Sequence, residues 1–287
     1  KTEVKNKVRT MSSSDALTSS ALVIAHPGHE LFVYGWLKHA TPRVFVLTDG
    51  SGRMGSPRID NALRILKSLD APIGEPFGLV PDEVLYRHIL NREIDFFVQL
   101  TRNLATAFVR DGIQTVVGDS FERQFLAHDV CRLMIGAATE IAARQMNRPV
   151  RNFEIPMYGY FGGNTPLRGN DTLEIEFDEA TVSEKMVAAR SYEDPAFQHE
   201  VDYLLAQRGP DALRHETMWP VTNLDGYDVR EKDAPAYEIH GQKLVDAGHH
   251  EQVIRFRDHV TPIADALLKL VERYRFDTSQ HTMAHQA

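Results

Sequence analysis

Two histidines stand at the end of the first apolar run of this chain, and a third histidine opens a later helical segment. Residues 21–25 are apolar, and they lead into His26, Pro27, Gly28 and His29; His128 lies much further along. Three imidazoles with one open position form a catalytic zinc arrangement. A histidine at a strand end often only hydrogen-bonds a neighbouring carbonyl group, and that alternative stays open here. We predict that the three histidines bind one divalent ion, with zinc preferred over other divalent transition metals.

The elements around these histidines explain why they are expected to meet. Residues 21–25, 44–48 and 114–119 have the β-branched, apolar character of buried parallel strands. Pro27 and Gly28 end the first strand, and a helix begins soon after the third. Because the carboxyl ends of parallel strands share one edge of a sheet, residues that follow the first and third strands converge there.

Strand-like runs alternate with helical segments through the first half, which indicates βαβ units. The predicted helices cover residues 31–39, 58–69, 94–109, 127–145, 181–191 and 251–274. Residues 153–161 and 173–177 alternate in the manner of antiparallel or edge strands. We predict an α/β fold, a mostly parallel sheet flanked by helices, with a smaller antiparallel addition in the C-terminal half. A single domain is expected over 15–275, between flexible segments 1–14 and 276–287.

Composition narrows the class of protein. With 287 residues, 43% of them hydrophobic and 25% charged, the chain is expected to fold rather than to be disordered. A formal net charge of -8 argues against nucleic acid as a partner. No apolar run approaches the roughly 20 residues of a membrane-spanning helix. The single cysteine, Cys131, excludes an intrachain disulfide and suits a reducing compartment, so we predict a cytoplasmic protein. A homo-oligomer is left open.

The order of these motifs resembles that of the LmbE-like or PIG-L de-N-acetylases. The histidine-proline turn after the first strand, the Thr48-Asp49-Gly50 end of the second, and His128-Asp129 at a later helix carry the resemblance. It covers roughly the first 140 residues by motif order. The resemblance implies a Rossmann-like, zinc-dependent enzyme that removes an acyl group from an amino sugar. It also implies substrate-binding roles for Arg58 and Asp82, although an exposed helix arginine is the common alternative for Arg58.

Three positions depart from the family pattern and mark this chain as a divergent member. The family has a general-base aspartate where this chain has Gly28, a ligand aspartate at the position of His29, and a histidine at the position of Phe125. A zinc ion held by three neutral histidines carries more net charge, and such a site can bring the pKa of bound water to about 7. Because such water is already partly ionised at neutral pH, a general base is less necessary. The departing amine still needs a proton.

Several acids near the predicted metal site could carry that proton or orient a ligand. Glu122 is the preferred base, and a solvated surface acid is its alternative. Asp129 and Glu30 are further candidates, although each stands in a first helical turn, where capping or a favourable interaction with the helix dipole is the alternative role. Asp49 is predicted to lie behind the ligands, holding His26 or the turn after the second strand.

Two functions follow from these features. The first is a metal-dependent deacetylase that removes an N-acyl group from an amino-sugar-like small molecule. The second is a degenerate, non-hydrolytic relative that binds a metal ion and a sugar-like ligand. The partner is a small molecule for both functions, and for the deacetylase it is an N-acylated sugar.

Overall fold

One seven-stranded sheet organises the part of the chain that the computed structural model describes, which comprises residues 19–52, 55–157, 171–209, 213–221 and 233–284. The strands lie in the order β3-β2-β1-β4-β5-β7-β6. They are β1 (Ser20–Ile24), β2 (Arg43–Thr48), β3 (Ile73–Val80), β4 (Thr115–Asp119), β5 (Arg151–Ile155), β6 (Leu173–Glu176) and β7 (His215–Pro220).

The sheet is parallel from β3 to β5 and antiparallel beyond it. β1 pairs with both β2 and β4, β2 pairs with β3, and β4 pairs with β5, all in parallel. β7 runs antiparallel to β5 and to β6. The predicted α/β class, with an antiparallel addition in the C-terminal half, is therefore confirmed. β5, predicted as an antiparallel or edge strand, is antiparallel to β7 as expected, but it is an interior strand and its other neighbour, β4, is parallel to it.

Helices flank this sheet on both faces. A 3-10 turn covers His29–Val33, and nine α-helices are described: α1 (Tyr34–Ala40), α2 (Ile59–Ser68), α3 (Asp82–Leu90), α4 (Ile94–Arg110), α5 (Leu126–Gln145), α6 (Glu179–Arg190), α7 (Pro195–Arg208), α8 (Ala236–Asp246) and α9 (Thr261–Ala284). A π-helical turn, Phe256–Val260, precedes α9. None of the helices in the described ranges has the length and apolar character needed to cross a bilayer.

The predicted flexible segments at the two ends of the chain can be compared with the structure in part. α9 continues to Ala284, so the segment predicted as a tail after residue 275 is helical through most of its length. Residues 1–14 lie outside the described residues. The single domain over 15–275 stays a prediction.

Both faces of the central strand are buried, which explains its uninterrupted apolar sequence. Ala21 and Val23 join the core cluster that α4, α5 and α9 contribute to, whereas Leu22 and Ile24 join the cluster formed with α1, α2 and α6. Successive side chains of a strand point to opposite faces, so every position of β1 needs an apolar residue. The strand therefore holds the first histidine at a fixed point, the carboxyl edge of the sheet.

Candidate metal centre and its cavity

The structure brings the three predicted histidines together. His26 follows β1, His29 opens the 3-10 turn, and His128 lies in the first turn of α5. One ring nitrogen of each lies within 4.8 Å of those of the other two, and Nε2 of His26 is 3.0 Å from Nε2 of His128. Tetrahedral zinc with bonds of about 2.1 Å would separate ligand nitrogens by about 3.4 Å. The spacing of these imidazoles suits such an ion.

A tight turn places His29 beside His26. Gly28 has a φ of 113°, in the left-handed region that favours glycine, and its carbonyl group accepts a hydrogen bond from the amide of Leu31 at 3.2 Å. On the other side, Val23 of β1 is in register with Gly118 of β4. A Cβ at Gly118 would lie 2.4 Å from the carbonyl oxygen of Val23, so the close approach of the two strands requires glycine there.

Burial keeps the three imidazoles uncharged. It lowers the pKa of all three, to about 3 for His29, and the neighbouring Arg58 adds to this effect at His26 and His29. Nδ1 of His26 is buried and has no hydrogen-bond partner within the described residues. A neutral imidazole offers a nitrogen lone pair, so the cluster is in the protonation state that binds a metal ion.

Asp119 orients one of these rings. Its Oδ1 lies 2.9 Å from Nδ1 of His29, and its Oδ2 accepts a hydrogen bond from the amide of Ala25 at 2.8 Å. The carboxyl group is fully buried. A carboxylate that accepts Nδ1–H leaves Nε2 of the ring for a metal ion, and such partners are usual behind histidine ligands.

Asp49 was predicted to hold either His26 or the turn after the second strand. Oδ1 of Asp49 accepts a hydrogen bond from the amide of Ser51 at 2.9 Å, so Asp49 holds the turn after β2 rather than His26. The sequence does indicate that Asp119 lies near the histidines, because Asp119 ends β4 and β4 lies beside β1. Arg132 of α5 donates to the carbonyl group of Asp119 at 3.4 Å and to that of Phe153 at 3.0 Å, so it links the end of β4 to β5.

The three acids predicted to carry a proton have other partners. Glu30 accepts the amide of Gly28 at 2.7 Å and also the hydroxyl group of Tyr192, so it stabilises the turn between the histidines. Oδ1 of Asp129 accepts the amides of Glu122 and Arg123, at 3.1 and 3.0 Å. Both carboxyl groups satisfy backbone donors of buried loops, and the catalytic roles of Glu30 and Asp129 stay predictions.

Glu122 is also held by a backbone hydrogen bond, and its role as a base stays a prediction. Its Oε1 accepts a hydrogen bond from the amide of Met157 at 2.6 Å, and the residue is not among those that line the cavity beside the histidines. Its carboxylate links the loop after β4 to the chain after β5. The position of Glu122 therefore favours a structural role over the predicted role as a base.

The histidines open into a cavity of about 310 Å³. Arg58, predicted to bind substrate, lines it, and its Nε donates to the carbonyl group of Gly50 at 2.7 Å. Asp82 is buried, does not line the cavity, and accepts the amide of Gly52 at 2.7 Å. The carboxylate of Asp82 thus holds the turn after β2, and its contact with substrate stays a prediction.

Three charged residues of the cavity wall were not predicted as site residues. Lys185 of α6 and Glu216 of β7 form a buried ion pair, with Nζ 2.8 Å from Oε1, and Glu216 also accepts the amides of Gly35 and Trp36. Glu200 of α7 also lines the cavity, and within the described residues its carboxylate has no hydrogen bond. Partial burial raises the pKa of Glu200. These residues become neighbours of the histidines only through folding of the second half of the chain.

Apolar groups occupy the two positions at which the family resemblance implies catalytic side chains. A Cβ at Gly28 would lie 2.6 Å from Cε2 of Phe197, so α7 fills the space that a side chain at position 28 would need. Phe125 lines the cavity, is 42% exposed, and its ring centroid is 5.0 Å from that of His128. An aspartate at position 28 would therefore strain the backbone and displace Phe197.

Comparison with known proteins finds distant structural similarity. No protein-family model and no curated protein matches the sequence. A triple mutant of a deacetylase from the teicoplanin biosynthetic pathway is 19% identical, with a TM-score of 0.45 and a match over 71% of this chain and 98% of that one. The A40926 pseudoaglycone deacetylase is 18% identical (TM-score 0.47, 72% and 98% covered), and a zinc-inhibited teicoplanin deacetylase is 15% identical (0.43, 71% and 98%).

Asp129 leads to a prediction about pH. Burial raises the pKa of Asp129 to about 8, above its ordinary value of 3.8. Between these values the folded chain binds the proton and the unfolded chain does not, so Asp129 makes stability fall as pH rises. We expect Asp129→Asn to gain stability relative to the wild type from about pH 5 to pH 8, by up to about 1.4 kcal/mol per pH unit.

Urea denaturation with a chelator present, at several pH values, measures this difference. Asp60→Asn, at an exposed position in the first turn of α2, is the matched control and should follow the wild type. Parallel stability curves for Asp129→Asn and the wild type would show that Asp129 is ionised in the folded protein.

Proposed function

We propose that this chain is a metal-dependent deacetylase that removes an N-acyl group from an amino-sugar-like small molecule. The observation that carries the proposal is the cluster of three neutral histidines in the wall of a cavity, with Asp119 behind His29. His26, His29 and His128 would hold the ion, zinc by ligand preference. When bound, such an ion supplies a Lewis acid that polarises a carbonyl group and activates water.

The chain's own residues account for the remaining tasks of amide hydrolysis. Asp119 fixes the tautomer and the orientation of His29. Arg58, which lines the cavity with its guanidinium carbon 5.6 Å from the centroid of Phe197, is placed to bind a substrate hydroxyl group or another oxygen. When the C–N bond breaks, the amine nitrogen must gain a proton.

We assign that proton transfer to Glu200. It lines the cavity without a hydrogen bond from the described residues, in contrast to Glu30, Glu122 and Asp129. A carboxyl group that faces the cavity can donate a proton to the departing amine. Glu200 would thus replace the aspartate that has no room at position 28.

A second candidate function is a non-hydrolytic protein that binds a metal ion and a sugar-like ligand. The observation that favours it is the pair of apolar rings, Phe197 and Phe125, at the positions where the family resemblance implies a base and a histidine. This chain would then keep the ligands and the cavity but lack the proton transfer. Activity measurements separate the two functions.

The experiment is amine release from a panel of N-acetyl amino sugars by zinc-loaded and by chelated protein. We expect release only from the loaded protein, and Glu200→Gln should lower kcat by roughly 100-fold. Glu193→Gln is the matched control, because Glu193 is exposed just before α7 and does not line the cavity. Zinc-loaded wild type that binds the sugars and releases no amine would establish the second function instead.

We also propose a cytoplasmic location and a single domain. The one cysteine, Cys131, is fully buried in α5, where it needs no oxidising environment. The cavity suits a small-molecule partner, because its volume of about 310 Å³ falls at the lower end of ligand pockets. Fractionation of cells with an antibody to the chain tests the location.

A further inference from the structure

One face of α7 lines the cavity with apolar side chains, and the carboxylate of Glu200 lines it from the same helix. Phe197, Val201, Leu204 and Leu205 all border it, and their spacing of three and four residues places them on one side of the helix. Val201, Leu204 and Leu205 are only partly buried, and the two leucines belong to neither of the core clusters. Within this stripe of four residues, Leu204 and Leu205 therefore face the cavity without packing into the core, whereas Phe197 belongs to the core and Val201 packs against it.

The stripe begins beside the histidines and leads away from them. Phe197 is the residue that a Cβ at Gly28 would meet, so it adjoins the turn between His26 and His29. Leu204 and Leu205 follow two turns later, about 10 to 12 Å along the helix axis at 1.5 Å per residue. The helix thus extends an apolar wall outward from the proposed metal centre.

Other elements supply a second apolar wall. The 3-10 turn contributes Leu31 and Phe32, the end of β5 contributes Ile155 and Pro156, and β7 contributes Trp219. The polar residues at the turn, His26, His29 and Arg58, face the same cavity. An acetyl group would leave most of these apolar side chains without a contact, and exposed apolar surface of this kind is typical of a binding site.

We propose that the substrate carries an unbranched apolar chain, which lies along the α7 stripe while its polar end meets the histidines. This inference rests on the proposed function for the identity of the polar end, an N-acyl amino sugar. The cavity volume of about 310 Å³ suits an alkyl chain rather than a helix of a partner protein. The chain belongs either to the acyl group or to an alkyl substituent on the sugar.

The test measures binding to the zinc-loaded protein by calorimetry, with each ligand below the concentration at which it forms micelles. One series lengthens the acyl group of an N-acylglucosamine from acetyl to decanoyl, and the other lengthens the alkyl glycoside of N-acetylglucosamine. We expect affinity to rise by roughly fourfold per methylene group in one series until the stripe is covered. The series that responds identifies the end of the substrate that carries the chain.

Two variants locate the effect. Leu204→Asn should abolish the dependence on chain length, and Leu204→Ala, a milder change at a partly buried position, should reduce it. Leu79→Asn is the matched control, since Leu79 is 51% exposed on β3 and does not line the cavity. Affinities that stay flat in both series, or a chain-length effect that survives Leu204→Asn, would overturn the proposal. Chain-dependent binding without amine release would support the stripe and contradict hydrolysis, so the two proposals fail separately.

Discussion

Lys185→Met is expected to lower the free energy of unfolding by about 3 to 5 kcal/mol. Nζ of Lys185 and Oε1 of Glu216 are 2.8 Å apart, and both side chains are almost completely buried. Removing the ammonium group leaves the Glu216 carboxylate charged in the interior, with only the amides of Gly35 and Trp36 as partners. Chemical denaturation of the wild type and the variant measures the difference.

An exposed ion pair that also involves α6 is the matched control for the buried pair. Lys38 of α1 pairs with Glu184 of α6, and both side chains are more than a third exposed. Lys38→Met should therefore cost less than about 1 kcal/mol. The double change Lys185→Met with Glu216→Leu should recover part of the loss, because no unpaired charge remains. Equal losses for Lys185→Met and Lys38→Met would mean that water reaches Glu216.

His128→Ala is expected to weaken zinc binding by more than about 100-fold, since it removes one of three ligands. Asp119→Asn, which alters the partner of His29, should weaken it by about 10- to 100-fold. Competition with a chromophoric chelator measures both affinities, and amine release should fall to background in His128→Ala if the chain is a deacetylase.

The control for this series is His39→Ala. Nδ1 of His39 contacts the carbonyl oxygen of Gly35 at 2.8 Å, and the residue lies outside the cavity. Because the chain has 13 histidines, this variant shows whether loss of any histidine lowers the zinc content. Unchanged affinity in His128→Ala would place the ion elsewhere on the protein.

The parallel core of the fold was predictable because its signal is local. β1, β2 and β4 are buried on both faces, so each contains consecutive apolar residues, at 21–24, 44–47 and 116–117. β3 was missed, since Gly74, Pro76 and Gly78 interrupt it and residues of this kind normally argue against a strand. It is an edge strand, and a Cβ at Gly74 would lie 2.4 Å from the ring of Phe45, so close packing selects glycine there.

Helices that do not alternate with predicted strands were harder to identify. α7 has apolar residues on a face that borders a cavity, and α8 has no buried residue among those described. Neither helix follows a predicted strand, and α8 lacks the regular apolar stripe of a core-facing segment. The helix expected over 251–274 begins later, at Thr261, after a π-helical turn.

Part of the candidate site was predictable from the sequence and part was not, for the same reason. The three histidines adjoin strand ends, so strand order alone brings them to one edge. Which carboxylate faces them depends on side-chain hydrogen bonds, which a sequence does not display. Asp49 and Asp119 both stand at strand ends, yet only Asp119 reaches a histidine ring. Glu200 comes from a helix in the second half of the chain, for which no motif predicted a position.

The sheet order has a consequence for how an ion would be captured during synthesis. β1 lies between β2 and β4 in the sheet, yet His26 and His29 precede β2 along the chain and are synthesised before His128, which follows β4. The nascent chain and the unfolded chain both hold a pair of histidines rather than the triad. An ion that needs all three would bind the folded form selectively, and each tenfold rise in its free concentration above Kd would add about 1.4 kcal/mol of stability. Zinc supply would then govern how much of the newly made chain survives proteolysis.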